Sequence, residues 1–331
     1  MKAKSTHPLW FIRQTCVSGC SGIGLGLVKH LLSKSDEEWR VVVADLRPEA
    51  YEKVKSELDP ARHKFIETDV ASWDSQLSMV KEAFSWSGVG RIDFFAANAG
   101  TTEGEHLLDP TKDDLDADPT MPSMRCTQVN QVAVFYGLKM FLHYARVTNR
   151  ALKAGGAGSG EQQQVKVPYN PKFVITSSCS ALYPFPIAVQ YAATKASLVS
   201  LVRSIGKNLL ASDNVAVNCI MPAYVDTGLT PSEVTALWPP EWVTPLSTMN
   251  RAYDELISDD GTVAQDGKSD GRDGSVKAGK CVECVVDRLY YRRGVDFADE
   301  SQRFCIEESF RPDGVWMRGM MEMVRKGAYA G

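Results

Sequence analysis

The sequence predicts a doubly wound α/β fold, in which helices cover both faces of a mostly parallel sheet. Strand-like and helix-like segments alternate from residue 15 to residue 220, as is typical of parallel α/β layering. Apart from Arg40 and Asp93, the runs RVVVA at 40–44 and IDFFAA at 92–97 are apolar, as expected for strands buried on both faces. A glycine-rich turn follows the first short strand and opens a helix.

The elements can be placed in order along the chain. Strands are predicted at 15–17, 40–44, 63–66, 92–97, 172–177 and 215–220. Helices are predicted at 23–33, 49–58, 76–85, 126–151 and 189–210. Beyond this region the pattern loosens, with one more strand at 280–286 and an amphipathic helix around Trp316 and Met323.

We interpret residues 1–331 as a single domain with two insertions and a C-terminal extension. Segments 152–165 and 259–280 are rich in glycine and polar residues, which predicts flexible surface insertions. Residues 228–258 are predicted to cover the substrate, and residues 281–331 to form a C-terminal strand and helical tail.

Charge and hydropathy argue against two classes of protein. The 37 basic and 41 acidic residues give a net charge of -4 without a basic block, so no nucleic-acid partner is expected. The longest apolar stretch, 129–147, contains Asn130, Lys139 and His143, which predicts a buried helix and not a membrane span. The first residues lack an apolar core of signal-peptide length, so a cytoplasmic location is expected.

The eight cysteines are scattered and lack the spacing of a disulfide framework. Cys281 and Cys284 form a CxxC pair, but no second pair lies at a zinc-ribbon distance. We therefore predict reduced thiols and no metal site.

Tyr191 and Lys195 are four residues apart on a predicted helix, so their side chains share one face. An unperturbed tyrosine has a pKa near ~10, too high for a base at neutral pH. A cation about 4 Å from the phenol contributes ~4 kcal/mol at an effective dielectric constant of ~20, which lowers the pKa by roughly three. The pair therefore predicts a general base for an alcohol, or a general acid toward a carbonyl.

The first turn and the end of the second strand together indicate a dinucleotide site. Gly19, Gly22 and Gly24 open the first helix, where backbone N–H groups and the helix dipole favour a pyrophosphate. Asp45 ends the strand RVVVAD, and a carboxylate there binds adenosine ribose hydroxyls and repels a 2′-phosphate. This favours NAD over NADP, although Arg47 could neutralise the carboxylate.

Several motifs occur together and in order over residues 10–230. They are the glycine-rich turn, Asp45, ANAG at 97–100, Asn130, Ser178, YxxxK at 191–195 and P-x-x-V-x-T at 222–227. This ordered set resembles the short-chain dehydrogenase/reductase family, which has a Rossmann fold with three α/β/α layers. Within that family the sequence is most similar to the NAD-linked 15-hydroxyprostaglandin dehydrogenase-like branch.

The resemblance implies roles for the catalytic residues. The Ser178 hydroxyl binds the reacting substrate oxygen beside Tyr191, and Lys195 also binds the nicotinamide ribose. Ser177 and Ser180 are alternatives to Ser178, but the distance of thirteen residues to Tyr191 favours Ser178. Each of these side chains also has an ordinary structural interpretation, such as a surface tyrosine or a solvated lysine.

The resemblance also implies which residues contact the nicotinamide cofactor. They are Ser18, Gly19, Ser21, Gly22, Ile23, Gly24, Asp45, Asp69, Val70, Asn98, Gly100, Tyr191, Lys195, Pro222, Val225 and Thr227. Asp69 matches the position beside the adenine, although it could instead cap the following helix.

Asn130 matches the family's asparagine that holds a water of the proton relay, or it is a buried polar residue at a helix kink. The chain departs from the family pattern at three places. The turn at 18–24 is one residue short, which predicts weaker cofactor binding, and Ala97 and Ala223 replace the usual asparagine and glycine.

The predicted reaction is the reversible oxidation of a secondary alcohol, in which Tyr191 takes the proton while hydride passes to NAD. The segment after the P-x-x-V-x-T motif is apolar and aromatic, which favours a hydrophobic small-molecule substrate or, alternatively, packing on the core. Its large residues are Leu229, Leu237, Trp238 and Trp242.

The helices at 126–151 and 189–210 correspond to the family's dimer faces, so a homodimer or homotetramer is expected. An alternative function is open: a scaffold with weakened cofactor binding that serves non-redox chemistry, or a binding or assembly role.

Overall fold

The structure, a computed structural model, describes residues 12–35, 38–88, 90–104, 107–109, 111, 114–155, 169–311 and 313–328. Eight strands in these ranges form one sheet in the order β3-β2-β1-β4-β5-β6-β7-β8, with β8 antiparallel and the others parallel. The strands are β1 Ile12–Ser18, β2 Glu38–Asp45, β3 His63–Glu67, β4 Phe94–Ala97, β5 Lys172–Thr176, β6 Ala216–Pro222, β7 Cys281–Val285 and β8 Arg288–Tyr291.

Helices connect the strands, as the predicted alternation requires. They are α1 Gly22–Ser33, α2 Pro48–Glu52, α3 Trp73–Trp86, α4 Arg125–Thr127, α5 Ala133–Gly155, α6 Val189–Asp213, α7 Ser232–Thr235, α8 Leu246–Ile257, α9 Glu300–Arg303 and α10 Val315–Arg325. A π-helical turn, Gln128–Val132, joins α4 to α5.

Neighbouring residues of each strand face two different hydrophobic cores, because side chains alternate across a sheet. Val42 and Phe95 belong to the core formed with α3, α5 and α6. Val41 and Phe94 belong to the core formed with α1 and α8. The sheet is therefore covered on both faces, and the predicted three-layer, doubly wound fold is confirmed.

The strand order of the sheet indicates where a ligand-binding site is expected. The connections run from β1 to β3 in one direction and from β4 to β6 in the other, so the order reverses between β1 and β4. In doubly wound sheets, ligands bind in the crevice at the carboxyl ends of the strands at this reversal.

Two elements differ from the sequence prediction. Strand β1 begins at Ile12, earlier than predicted, and pairs along its whole length with β2. The charge of Arg13 is accommodated because its guanidinium reaches the Asp259 carboxylate at 2.6 Å. The helix predicted at 49–58 is divided into α2 and a 3₁₀ turn, Lys55–Glu57.

Helix α8 lies within 228–258, the segment for which the sequence predicts a substrate cover. Met249, Ala252, Tyr253 and Leu256 are fully buried in the core that α8 shares with α1. The second half of the segment therefore belongs to the core, and the prediction is wrong for those residues.

The segment 259–280, which its composition predicts to be a flexible insertion, contains buried side chains. Val263, Lys277 and Ala278 are each less than a tenth exposed. The Lys277 ammonium donates hydrogen bonds to the carbonyl of Gly261 at 2.9 Å and to that of Arg272. This buried lysine fixes the surrounding turns by binding their carbonyl groups. The other predicted insertion, 152–165, falls outside the described residues from position 156 onward.

The two cysteines of the CxxC pair lie on β7 and face opposite sides of the sheet. Cys281 is buried in the core with α6, whereas Cys284 is buried in the core with α8. Residues at i and i+3 of a strand point to opposite faces, so these thiols do not converge on one ion.

Two compact units are formed, one ending at Arg292 and the other beginning at Arg293. The second unit contains α9 and α10, and within it Phe310 and Trp316 make an edge-to-face contact at 5.7 Å. Across the ranges described above, no helix has the length and apolar character needed to span a bilayer.

Candidate active site

A cleft of about 640 Å³ opens at the carboxyl ends of the central strands. Most of the residues predicted to bind cofactor or substrate line it. They are Gly19, Ser21, Gly22, Ile23, Asp45, Asp69, Val70, Asn98, Gly100, Ser178, Tyr191, Lys195, Pro222, Val225 and Thr227.

Three predicted residues are placed differently. Gly24 is buried inside α1, and Asn130 is fully buried behind the cleft. Ser18 is the last residue of β1, and its side chain lies outside the described part of the structure. These three residues do not line the cleft themselves, whereas residues next to them in the sequence, such as Gly19, Ile23 and Val129, do.

Helix α6 brings Tyr191 and Lys195 to the same side of the cleft, one turn apart. The Lys195 ammonium lies 5.5 Å from the centroid of the Tyr191 ring and donates a hydrogen bond to the Thr176 carbonyl at 2.9 Å. The Ser178 hydroxyl, at the end of β5, lies near enough to the Tyr191 phenol to lower its pKa. The hydroxyl, phenol and ammonium predicted as the catalytic set are therefore together.

The protonation of this pair differs from the expectation based on spacing alone. Burial raises the pKa of Tyr191 above its usual value, and the nearby Ser178 hydroxyl only partly opposes this. Burial also lowers the pKa of Lys195 to about 8. The spacing argument treats the pair as two partly solvated charges, whereas both groups are desolvated here, and desolvation favours their neutral forms.

The three serines near the end of β5 have different roles. Ser177 is buried and its hydroxyl donates to the Lys195 carbonyl at 2.7 Å, which fixes it as a support for α6. Ser180 is buried. Ser178 lines the cleft and contacts Tyr191, so the geometry favours it over the other two.

Asn130 lies in the π-helical turn between α4 and α5, a deviation that is frequent at functional sites. Its carboxamide pairs with the backbone of Thr101, accepting from the N–H at 2.8 Å and donating to the C=O at 2.9 Å. Asn130 therefore fixes the segment that follows β4, next to Gly100 and Lys195.

The glycine-rich turn depends on two residues with positive φ. Gly19 has φ +117° and Gly22 has φ +53°. A Cβ atom on Gly22 would stand 2.7 Å from the Cβ of Thr227, closer than real Cβ atoms approach. Glycine at position 22 therefore allows the segment after β6 to close onto the turn.

The shortened turn is tied back onto β2. Gly19 donates its N–H to the Ala44 carbonyl at 2.7 Å, and Cys20 donates its N–H to the Asp45 carboxylate at 2.7 Å. These two N–H groups thus bind β2, and the first turn of α1, which contains no acidic residue, is left to face an anion.

Asp45 keeps a negative charge in the cleft. Its second oxygen accepts the Arg47 N–H at 3.0 Å, and the Arg47 guanidinium lies 3.9 Å away. The side chain of Arg47 is 61% exposed, and exposed ion pairs contribute only about 0–1 kcal/mol. Arg47 therefore neutralises Asp45 only weakly.

Asp69 does not cap a helix, because Ser72 is the N-cap of α3. The Asp69 carboxylate accepts the Ala71 N–H at 2.9 Å and lies 3.7 Å from the Arg125 guanidinium. Arg125 also lines the cleft, although no sequence motif pointed to it.

Asn98, at the end of β4, is connected to the core helix α8. The Thr176 hydroxyl donates to the Asn98 carboxamide at 2.9 Å and is 2.9 Å from the Tyr253 hydroxyl. Thr176 thus links Asn98, Tyr253 and, through its carbonyl, Lys195. Sequence reasoning missed Thr176, although it lies only two residues before the predicted catalytic Ser178.

Aromatic and apolar side chains are exposed beside Tyr191 and in the segment that follows β6. The ring of Phe185 packs against that of Tyr191, with centroids 6.1 Å apart. Leu229 lines the cleft, and Trp238 stacks on Tyr224 at 4.2 Å. Phe185, Leu229 and Trp238 each keep more than a third of their surface exposed, so they are available to an apolar ligand.

These residues fit a nicotinamide dinucleotide. The Gly22 turn and the start of α1 suit a pyrophosphate, the Asp45 carboxylate suits ribose hydroxyls, and Lys195 lies at the far end beside Tyr191. Gly100 borders the same end, since a Cβ atom on it would be in ordinary van der Waals contact with the Lys195 ammonium at 3.4 Å.

Comparisons with known proteins agree with this arrangement. A sequence model of the family described as short chain dehydrogenase matches residues 14–157 and 168–237, which is more than half of the chain. The short-chain dehydrogenase/reductase prx6 of Penicillium rubens is 29% identical, over 82% of this chain and 79% of that protein. The short-chain dehydrogenase/reductase ascJ of Acremonium egyptiacum is 32% identical, over 75% of this chain and 74% of that protein.

Other similar proteins include a 5'-hydroxyaverantin dehydrogenase of Dothistroma septosporum, 29% identical over 64% of this chain and 66% of that protein. Among solved structures, 3-ketoacyl-(acyl-carrier-protein) reductase from Brucella melitensis complexed with NADH has a TM-score of 0.59 at 18% identity, covering 83% of this chain and 98% of that chain. An alcohol dehydrogenase from Thermococcus sibiricus complexed with 5-hydroxy-NADP has a TM-score of 0.57 at 18% identity, covering 86% of this chain and 100% of that chain. These two likenesses show the fold.

Proposed function

Because the chain belongs to the short-chain dehydrogenase family, we propose that it interconverts a secondary alcohol and a ketone on a hydrophobic small molecule. The protein is an oxidoreductase that uses a nicotinamide cofactor. The observation that carries the proposal is that Ser178, Tyr191 and the buried Lys195 line one cleft, with the Lys195 ammonium 5.5 Å from the centroid of the Tyr191 ring.

Tyr191 is the proton donor and acceptor in this proposal. Since burial raises the pKa of its phenol, Tyr191 is protonated at neutral pH and suited to give a proton to a ketone oxygen. The Ser178 hydroxyl orients that oxygen, and Lys195 provides positive charge beneath the phenol. In the reverse direction, Tyr191 takes the proton of the alcohol.

The nicotinamide cofactor supplies or accepts the hydride at the carbinol carbon when it is bound. The first turn of α1 and Gly22 would hold its pyrophosphate, Asp45 its adenosine ribose, and Lys195 its nicotinamide ribose. The wall at Pro222, Val225 and Thr227 would enclose the nicotinamide end of the cleft.

We infer a preference for NAD over NADP. The Asp45 carboxylate would lie close to a 2′-phosphate, and the repulsion between two such charges in a partly desolvated cleft amounts to a few kcal/mol. The weak, exposed pairing with Arg47 supports an effective negative charge at Asp45.

Replacing Asp45 tests this preference. Asp45→Asn removes the negative charge, and the remaining side-chain oxygen still accepts a backbone N–H. Since the 2′-phosphate of NADP is then no longer repelled, the ratio of the NADP dissociation constant to the NAD dissociation constant should fall by about tenfold or more. The ratio is the useful quantity, because damage to the turn at Cys20 would weaken both cofactors alike. Calorimetric titration with each nucleotide measures it; an unchanged ratio, or a wild type that already prefers NADP, would contradict the inference.

The substrate proposed is apolar and flat enough to contact aromatic side chains. Phe185 beside Tyr191, together with Leu229 and Trp238, supports this choice. A relative named as a dehydrogenase of 5'-hydroxyaverantin supports a hydroxyl group as the reacting group.

Three finer expectations stay predictions. They are the similarity to the 15-hydroxyprostaglandin dehydrogenase-like branch, a cytoplasmic location, and a homodimer or homotetramer through α5 and α6. Analytical ultracentrifugation of the purified protein measures the last of these directly.

The function is tested by incubating the enzyme with NADH or NADPH and a panel of aliphatic, aromatic and polycyclic ketones. Loss of the reduced-nicotinamide absorbance with the apolar ketones supports the proposal. Nucleotide binding without turnover on any alcohol or ketone favours non-redox chemistry on the same scaffold, and no nucleotide binding favours a binding or assembly role.

A further inference from the structure

The first turn of α6, which carries Tyr191, is held by a carboxylate from another segment. Ala188 occupies the N-cap of α6 and supplies no side-chain acceptor. Instead, one carboxylate oxygen of Glu103 accepts the N–H of Gln190 at 2.7 Å and the N–H of Tyr191 at 3.2 Å. The first turn of a helix has N–H groups without intrahelical partners, and a negative charge there is favourable.

Glu103 lies on the segment that leaves β4, of which Thr101 and Thr102 line the cleft. The same segment is held at Thr101 by the carboxamide of Asn130, through both of its backbone groups. It is thus fixed at Thr101 to the π-helical turn that precedes α5, and at Glu103 to α6. Through these two attachments, the loop after β4 and the helix that carries Tyr191 form one connected unit.

The carboxylate of Glu103 is partly withdrawn from water. Its second oxygen is buried and has no hydrogen-bond partner among the described residues. Glu103 and Lys195 also act in opposite directions on the thiol of Cys126, whose pKa is raised chiefly by burial. A buried carboxylate oxygen without a hydrogen-bond partner is unfavourable. The two hydrogen bonds that the other oxygen of Glu103 accepts offset part of this cost in free energy.

We propose that Glu103 is a positioning residue, which fixes the height and direction of the Tyr191 side chain by holding the backbone of the first turn of α6. Tyr191 depends on this contact because its own N–H is one of the two groups bound. Proton transfer requires a heavy-atom distance near hydrogen-bond length, so a shift of about 1 Å in this turn is expected to slow turnover by as much as a hundredfold.

The inference rests on the proposed function, and Glu103→Ala and Glu103→Gln test it. In E103A both N–H groups lose their acceptor, so kcat should fall by about tenfold to a hundredfold. The NADH dissociation constant should stay within about twofold, since Asp45 and the Gly22 turn are untouched. E103Q should recover most of kcat, because the amide oxygen still accepts both N–H groups.

A matched control removes a carboxylate cap in the second compact unit. Asp299 is the N-cap of α9 and accepts the N–H of Gln302 at 2.9 Å. Asp299→Ala should leave kcat unchanged. If E103A does not fold, Glu103→Asp is used in its place. The shorter aspartate side chain keeps the negative charge, but its carboxylate does not reach the two N–H groups.

Hydrogen exchange at the amides of Gln190 and Tyr191 measures the contact independently of turnover. Faster exchange in E103A than in the wild type supports the inference, and unchanged exchange overturns it. Wild-type kcat in E103A, or equal losses in E103A and E103Q, would also overturn it. The proposed function is tested separately, by whether the wild-type protein turns over any ketone in the same assay.

Discussion

Replacing Tyr191 by phenylalanine is expected to lower kcat by about 10²-fold or more, since positioned proton transfer contributes ~10²–10⁴. The substitution removes the hydroxyl and keeps the ring that packs against Phe185. The fold and NADH binding should therefore change little. Steady-state kinetics with the best ketone of the panel and fluorescence titration with NADH make the two measurements.

Tyr169→Phe is the matched control for this substitution. Tyr169 is also a buried phenol, and it donates to the Ile92 carbonyl at 2.8 Å, but it does not line the cleft. Its loss should lower stability by about 1 kcal/mol without affecting kcat. Near-normal turnover in Tyr191→Phe would show that another group moves the proton.

Gly22→Ala is expected to weaken NADH binding by about tenfold to a hundredfold. This is the change in affinity that the loss of one or two hydrogen bonds to a charged group would cause. Gly22 has φ +53°, and an added Cβ atom would stand 2.7 Å from the Cβ of Thr227. Either the turn or the Thr227 segment must move, and both belong to the wall of the cleft. The NADH dissociation constant is the measurement.

Gly88→Ala separates the clash from the backbone strain. Gly88 has φ +74°, and no heavy atom of the described residues lies within 4 Å of a Cβ atom added there. Both variants should lose about 1 kcal/mol of stability from the left-handed backbone, but only Gly22→Ala should lose cofactor affinity. Equal NADH affinity in both variants would mean that the cofactor does not depend on this turn.

The fold was predictable because the relevant signals are local in sequence. Apolar runs such as 41–44 and 94–97 are buried in the sheet, and their composition alone indicates this. The positions of Asp45 and Ser178 followed from the same rule, since residues at the carboxyl ends of parallel strands meet at one edge.

Helix α8 was not predictable in the same way. Its core residues, Met249 and Tyr253 among them, are buried by α1 and the sheet, which lie far away in the sequence. Trp238 and Trp242 nearby are exposed, so one apolar stretch contains both core and surface residues. Spacing alone does not tell these apart.

The electrostatics of the site also depended on three-dimensional burial. Helical spacing placed Lys195 beside Tyr191 correctly, but it did not reveal that desolvation raises the pKa of the phenol and lowers that of the ammonium. Glu103 was missed for a related reason. Its contact with the first turn of α6 joins residues far apart in sequence, and no motif marks it.

The central claim is that this enzyme moves a hydride between a nicotinamide and a carbinol carbon. The most direct measurement uses NADH that carries deuterium at both C4 positions of the nicotinamide and the best ketone of the panel, with mass spectrometry of the product. The account predicts an alcohol that carries one deuterium at the carbinol carbon, formed by the wild type and nearly absent with Tyr191→Phe. An alcohol without deuterium, or no product from any ketone despite tight NADH binding, would contradict it.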